Sequence, residues 1–180
     1  MSLVVLLLAR DMREVVGLTA GENMGVSSFP IVEGQDTLHY LTLPIEWKWL
    51  SDCATNETLG IVSKERGLVP LDEFYSYSRQ DALENLGKGE VEEYEAEAEV
   101  RDDGFYLDGG LLWSHERRWF DPVQALTTTR GLLEYLRQHP EQPDDGDYDA
   151  NGFIYILQEL ENILVEAQTN AKRFYITSAG

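Results

Sequence analysis

Oxygen donors are spaced along one short stretch in a way that could hold a metal. Asp147, Asp149 and Asn151 alternate ahead of Gly152, and Gln158 follows. A hard cation such as Ca²⁺ gathers roughly six to eight oxygens, and a glycine allows the chain to bend sharply around it. A second acidic set lies upstream. Glu93, Glu95, Glu97 and Glu99 alternate with Tyr94, Ala96, Ala98 and Val100. On a β-strand that spacing puts four carboxylates on one face, about 7 Å apart. Such a row either keeps an edge strand solvated or receives Lys and Arg side chains of a basic partner.

Other reactive residues are sparse. His39, His115 and His139 form no His-x₃-His or Glu-x₂-His spacing, so a zinc site has no motif here. Cys53 could serve a small hydrolase as nucleophile with a distant His. Beside Trp49 and Leu50 it also fits a buried apolar role. No Gly-x-Ser-x-Gly elbow is present. Gly17, Gly21 and Gly25 are not followed by the Gly-Lys-Ser/Thr of a phosphate loop. Trp113, His115, Arg117, Arg118 and Trp119 make one basic, aromatic patch. It could stack a ligand, or its Trp residues could fill a core while its Arg residues pair with acids.

Taking Asp147 as position 1 puts Asp149 at 3, Asn151 at 5, Gly152 at 6 and Gln158 at 12. This twelve-residue run resembles the calcium loop of an EF-hand. The resemblance implies Asp147, Asp149 and Asn151 as Ca²⁺ ligands. The chain departs from the pattern at position 12, where neutral Gln158 replaces the bidentate Glu. Pro140 and Pro143 also interrupt any incoming helix. The alternative is an acidic connector that caps the following helix and suits the positive end of its dipole.

Thirty-three acids against 14 bases give a formal charge of −19. Nucleic acids and anionic lipids both call for a basic footprint, so neither is an expected partner. A basic protein partner, cations or plain solubility fit the charge instead. Only 4 of the bases are Lys, so adaptation to high salt is a further reading. One cysteine excludes an internal disulfide framework and suits a reducing, cytoplasmic compartment. The Leu3–Leu8 run is too short to span a membrane.

The elements that must position these residues can be read in order. Val4–Ala9 reads as a buried strand and Met12 toward Leu18 as a short helix. Residues 17–36 are rich in Gly, Ser and Pro and read as loop. Alternation from Leu41 to Trp49 predicts a strand with Pro44 at an edge. The competing reading is a helix from Pro44 with Trp49, Leu50 and Cys53 on one side. A polar stretch, Asp52–Gly67, follows. A helical register starts at Pro70 with Leu71 and Phe74, restarts at Ser78 and Asp81 with Ala82, Leu83 and Leu86, and stops at Gly87. Within the acid-rich residues 90–103, the alternation over 93–100 reads as a strand turning at Asp103-Gly104 into Phe105–Leu107, with a helix on Val91, Tyr94 and Ala98 as the competitor. Asp121-Pro122 opens a helix on Val123, Leu126, Leu133 and Leu136 that ends at His139-Pro140. Phe153, Ile156, Leu157, Leu160, Ile163, Leu164, Ala167 and Ala171 define a second helix. Phe174–Ile176 returns as a strand.

Together these predict one α+β domain over residues 1–180, with a mostly antiparallel sheet packed against a C-terminal pair of amphipathic helices. The function expected first is that of a cytoplasmic binding protein, of the immunity or inhibitor kind, acting through Glu93, Glu95, Glu97 and Glu99. A calcium-binding domain and a small hydrolase are the alternatives.

Overall fold

A computed structural model describes residues 27–35, 47–141 and 150–179. The expected elements at Val4–Ala9 and Met12–Leu18 lie outside those residues, as does the Leu41–Glu46 part of the expected strand. The fold is α+β, with two antiparallel sheets and, among the described residues, six α-helices. It divides into two compact units. One is Ser76–Arg118; the other joins residues 27–75 to Trp119–Ser178.

The larger unit is built around β5 (Phe174–Ala179), whose Phe174, Tyr175 and Ile176 are all buried. A strand covered on both faces carries a continuous apolar run rather than an alternating one. β1 (Ser27–Val32) pairs with it. The Glu33 N–H donates to the Arg173 carbonyl at 2.8 Å, and the Ser28 and Ser178 hydroxyls meet at 3.1 Å. Short bridges also join Tyr75 to Ile176 and Phe120 to Phe174. β1 corrects the expected loop over 17–36. The Ser-Ser pair and Pro30 read as turn signals, yet Phe29, Ile31 and Val32 are buried, and burial overrides local propensity in strands.

At the described end of the stretch expected as a strand, Lys48 and Trp49 instead open α1 (Lys48–Thr55). Leu50 and Cys53, three residues apart, are buried together on it, which period two would have placed on opposite faces. The polar stretch after it folds as α2 (Glu57–Glu65), where the Asn56 side chain accepts from the Leu59 N–H at 3.0 Å. A short 3₁₀ turn covers Leu71–Phe74.

The C-terminal pair follows the sequence pattern closely. α5 (Pro122–Gln138) is capped by Asp121, which accepts from the Val123 N–H at 2.9 Å. It buries Leu126, Leu132, Leu133 and Leu136, whereas Val123 stays 46% exposed. α6 (Ala150–Thr169) buries Phe153, Ile156, Leu157, Leu160, Leu164 and Ala167. At about 1.5–3 kcal/mol per buried large apolar side chain, these two stripes are the main stabilising term of the unit. The helices pack on each other, and α6 also packs on α1 and β1.

The smaller unit holds α3 (Arg79–Asn85), α4 (Lys88–Glu97), β2 (Glu99–Arg101), β3 (Gly104–Leu107) and β4 (Gly110–Ser114). Its buried centre is Ala82, Val91 and Trp113, with Tyr77, Tyr94 and Phe105 against it. The strands form an antiparallel meander in the order β2-β3-β4. The turn residues of the first hairpin are Asp102 and Asp103, one position earlier than the sequence signal. Gly104 belongs to β3, pairing with Arg101 and Ser114, and a Cβ there would meet the Trp113 carbonyl at 2.4 Å. The second hairpin turns at Asp108 (φ 52°) and Gly109 (φ 83°). Positive φ at both central residues is the twist-matched two-residue turn.

Candidate functional site

The smaller unit carries the densest charge. Between Ser76 and Arg118 there are 12 acids and five bases. The expected ladder of carboxylates does not form on a strand. Glu93, Glu95 and Glu97 lie on helix α4, and only Glu99 lies on a strand, β2. Alternation in this stretch rests on Ala96 and Ala98, which offer a strand little burial, while Glu and Ala are strong helix formers. Val91 settles the choice by burying completely on the inner face of the helix, with Tyr94 one turn on. Ala96, which a strand would have turned inward, is exposed.

The helix separates the four glutamates into different environments. Glu95 turns toward α3. Arg79 Nε donates to its Oε1 at 2.6 Å and Nη2 to its Oε2 at 2.9 Å. This two-pronged contact holds the Glu95 carboxyl below the usual carboxylate range. Glu99 is gripped in the same way by Arg101, at 3.0 and 2.8 Å, and its carboxyl is likewise lowered. Glu93 and Glu97 stay exposed and share a face of α4 with Glu90, at i, i+3 and i+7. Glu90 was not among the residues singled out from the sequence. The signal that would have found it is the helical spacing itself.

The bases of the unit are largely committed to its own acids. Lys88 pairs with Glu92 one helical turn away at 3.5 Å. Arg117 pairs with buried Asp81, which also accepts from the Ser78 backbone N–H at 2.8 Å. Ser78 and Asp81 form the reciprocal cap of α3 that their spacing predicted. Arg101 further lies over the Tyr106 ring, 4.1 Å from its centroid. No described base pairs with Glu90, Glu93 or Glu97.

The basic, aromatic patch is dispersed. Trp113 is core, and Arg117 serves Asp81. In the larger unit Trp119 sets its ring edge-on to Tyr175 at 5.0 Å, with Arg173 over it. Cys53 is fully buried on α1, and burial pushes its thiol well up, with Asp52 adding to the effect. A nucleophilic cysteine needs the opposite shift. Asp147 and Asp149 lie outside the described residues. Asn151 is an exposed residue in the first turn of α6. Among the described residues no three His, Cys, Asp or Glu side chains converge as a metal site. No described helix is long and apolar enough to cross a membrane.

Comparison with protein-family models, with curated proteins and with solved structures found no match to this chain.

Proposed function

We propose that the chain is a binding protein of the immunity or inhibitor kind, working in a reducing, cytoplasmic compartment. It docks a basic protein partner through the outer face of α4. The observation that carries this reading is the stripe Glu90, Glu93 and Glu97, exposed and paired with no base among the described residues, in a unit whose Arg79, Lys88, Arg101 and Arg117 are already paired. A helix is a stiffer platform for such a stripe than the strand expected from the sequence. Uncompensated charge of one sign steers an oppositely charged partner and raises its association rate in a salt-dependent way. Buried Cys53, with a thiol held protonated, suits a chain whose work is binding.

The test is retention of basic proteins from the source cell by the immobilised chain, at low and at physiological salt. The wild-type chain is expected to retain a basic protein. A Glu90→Gln, Glu93→Gln, Glu97→Gln variant is expected to lose it, with the difference largest at low salt. Equal retention by both chains would sink the proposal.

A further inference from the structure

We propose that the open edge of β2 is a strand-addition site, at which an extended, basic segment of the partner continues the β2-β3-β4 sheet. This inference builds on the acidic-face reading and supplies a mode of docking for it. The two outer edges of the sheet differ. The β4 edge is occupied: the Ser114 N–H donates to the Tyr77 carbonyl at 3.0 Å, and Ser78 bridges to Ser114. The β2 edge has no strand beside it among the described residues, and all three of its residues are exposed.

The register decides what that edge offers. Arg101 and Gly104 flank a two-residue turn, so they form the hydrogen-bonded closing pair. Alternation in an antiparallel ladder then turns the N–H and C=O of Val100 away from β3. An unpaired donor and acceptor on a sheet edge are a template for another strand. Natural edges are usually blunted by charge, proline or a bulge. Here Val100, at the centre of the edge, is apolar and 61% exposed. It lies opposite Phe105, whose ring leans on Trp113 with centroids 6.2 Å apart. The apolar face of the sheet therefore runs out to an exposed Val100 at its edge, and among the described residues no strand continues it.

The charges around the edge choose the occupant. On the far face Glu99 and Arg101 neutralise each other. Beyond the two ends of the strand, Glu97 at the end of α4 and Asp102 in the turn are exposed, and no described base pairs with either. A matching segment is extended, places an apolar side chain beside Val100, and carries Lys or Arg toward Glu97 and Asp102. Main-chain hydrogen bonds supply affinity and the alternating side chains supply selectivity.

The test uses the full ¹⁵N-labelled chain and two synthetic peptides of equal charge. One is Lys-Val-Lys-Val-Lys-Val-Lys; the other is the same peptide with every backbone nitrogen methylated, which cannot donate to a ladder. Saturation with the first is expected to slow hydrogen exchange of the Val100 amide at least tenfold. The methylated peptide is expected to bind at least tenfold more weakly. Val100→Pro, which removes only an outward-facing N–H, is expected to reduce binding of the first peptide to the level of the second. Unchanged exchange at Val100 would overturn the proposal. Equal binding of the two peptides, lost when Glu90, Glu93 and Glu97 are changed to Gln, would overturn strand addition and leave the acidic-face reading standing. A preference for the unmethylated peptide that survives those three substitutions would uphold strand addition and remove the acidic-face reading.

Discussion

The ring of Trp49, on α1, lies flat against the backbone of Gly152, on α6. A Cβ added at position 152 would meet three carbons of that ring at 2.1, 2.4 and 2.6 Å. Gly152 thus has a packing reason for being glycine, independent of the bend that a calcium loop would require. Alanine would gain about 1 kcal/mol of helix propensity. It would also force a large, rigid ring out of place, and overpacking of that kind costs roughly 1–3 kcal/mol. The steric term wins because ring carbons, unlike a leucine methyl, have no nearby rotamer to retreat to. Gly152→Ala is expected to lower unfolding stability by about 1–2 kcal/mol, measured in urea. Gly131→Ala is the contrast. Its Cβ would meet the flexible end of Leu68 at 2.6 Å, so the change is expected within about 0.5 kcal/mol of neutral. A Gly152→Ala protein as stable as wild type would refute the Trp49 argument.

That contact also marks what the sequence could disclose. The pattern of α6 was legible because Phe153, Ile156, Leu157, Leu160 and Leu164 repeat at 3–4 spacing over about three turns, and Asp121-Pro122 announced α5. The reciprocal cap of Ser78 and Asp81 was legible for the same reason: its spacing is local. β1 was hidden because its burial is set by β5, about 145 residues downstream in the pairing of Ser28 with Ser178 and Glu33 with Arg173. Residues 90–99 supported both periods, and local pattern could not arbitrate. Burial of Val91 beside Ala82 and Trp113 decided it. The candidate site changed accordingly. Glu93 and Glu97 remain on one exposed face, Glu95 and Glu99 are taken by arginines, and Glu90 joins the face.

Asp81 should be the most sensitive acid in the smaller unit. It is buried, caps α3 through Ser78, and receives Arg117 on its other oxygen. Asp81→Ala removes a cap worth about 1 kcal/mol. It also takes the paired carboxylate away from a guanidinium that is two-thirds covered, since the Arg117 side chain is 31% exposed. Breaking a fully buried pair costs about 3–5 kcal/mol, and partial exposure lowers that figure. The expected loss is about 2–3 kcal/mol, against about 1 for Ser78→Ala. Urea unfolding of the two variants gives the comparison. A smaller loss for Asp81→Ala than for Ser78→Ala would show that the Arg117 contact adds nothing.

Glu95 links the unit to pH. Arg79 lowers its folded pKa below that of the unfolded chain. The stabilisation is therefore complete above the unfolded value, about 4.3, and disappears as pH falls through the lower folded value. Glu95→Gln is expected to reduce stability at pH 7 and to flatten the decline of stability below about pH 4.3. Melting temperatures of wild type and Glu95→Gln measured across the acid range check this. An acid limb as steep in Glu95→Gln as in wild type would rule out Arg79–Glu95 as its source.

Cys53 gives a test of the inert core against the hydrolase alternative. An unfolded thiol ionises near pH 8.5, whereas burial keeps the folded Cys53 protonated well above its ordinary range. The thiolate is the reactive species, so native Cys53 lacks both exposure and charge. Iodoacetamide is expected to leave the native chain unmodified at pH 8 over hours and to label it stoichiometrically in 8 M urea. The same linkage makes stability fall as pH rises past about 8.5, because only the unfolded state then releases the proton. Cys53→Ala should lose that slope while giving up a small amount of packing. Rapid, stoichiometric labelling of the folded chain at neutral pH would contradict the burial of Cys53 on α1 and return it to the candidates for a nucleophile.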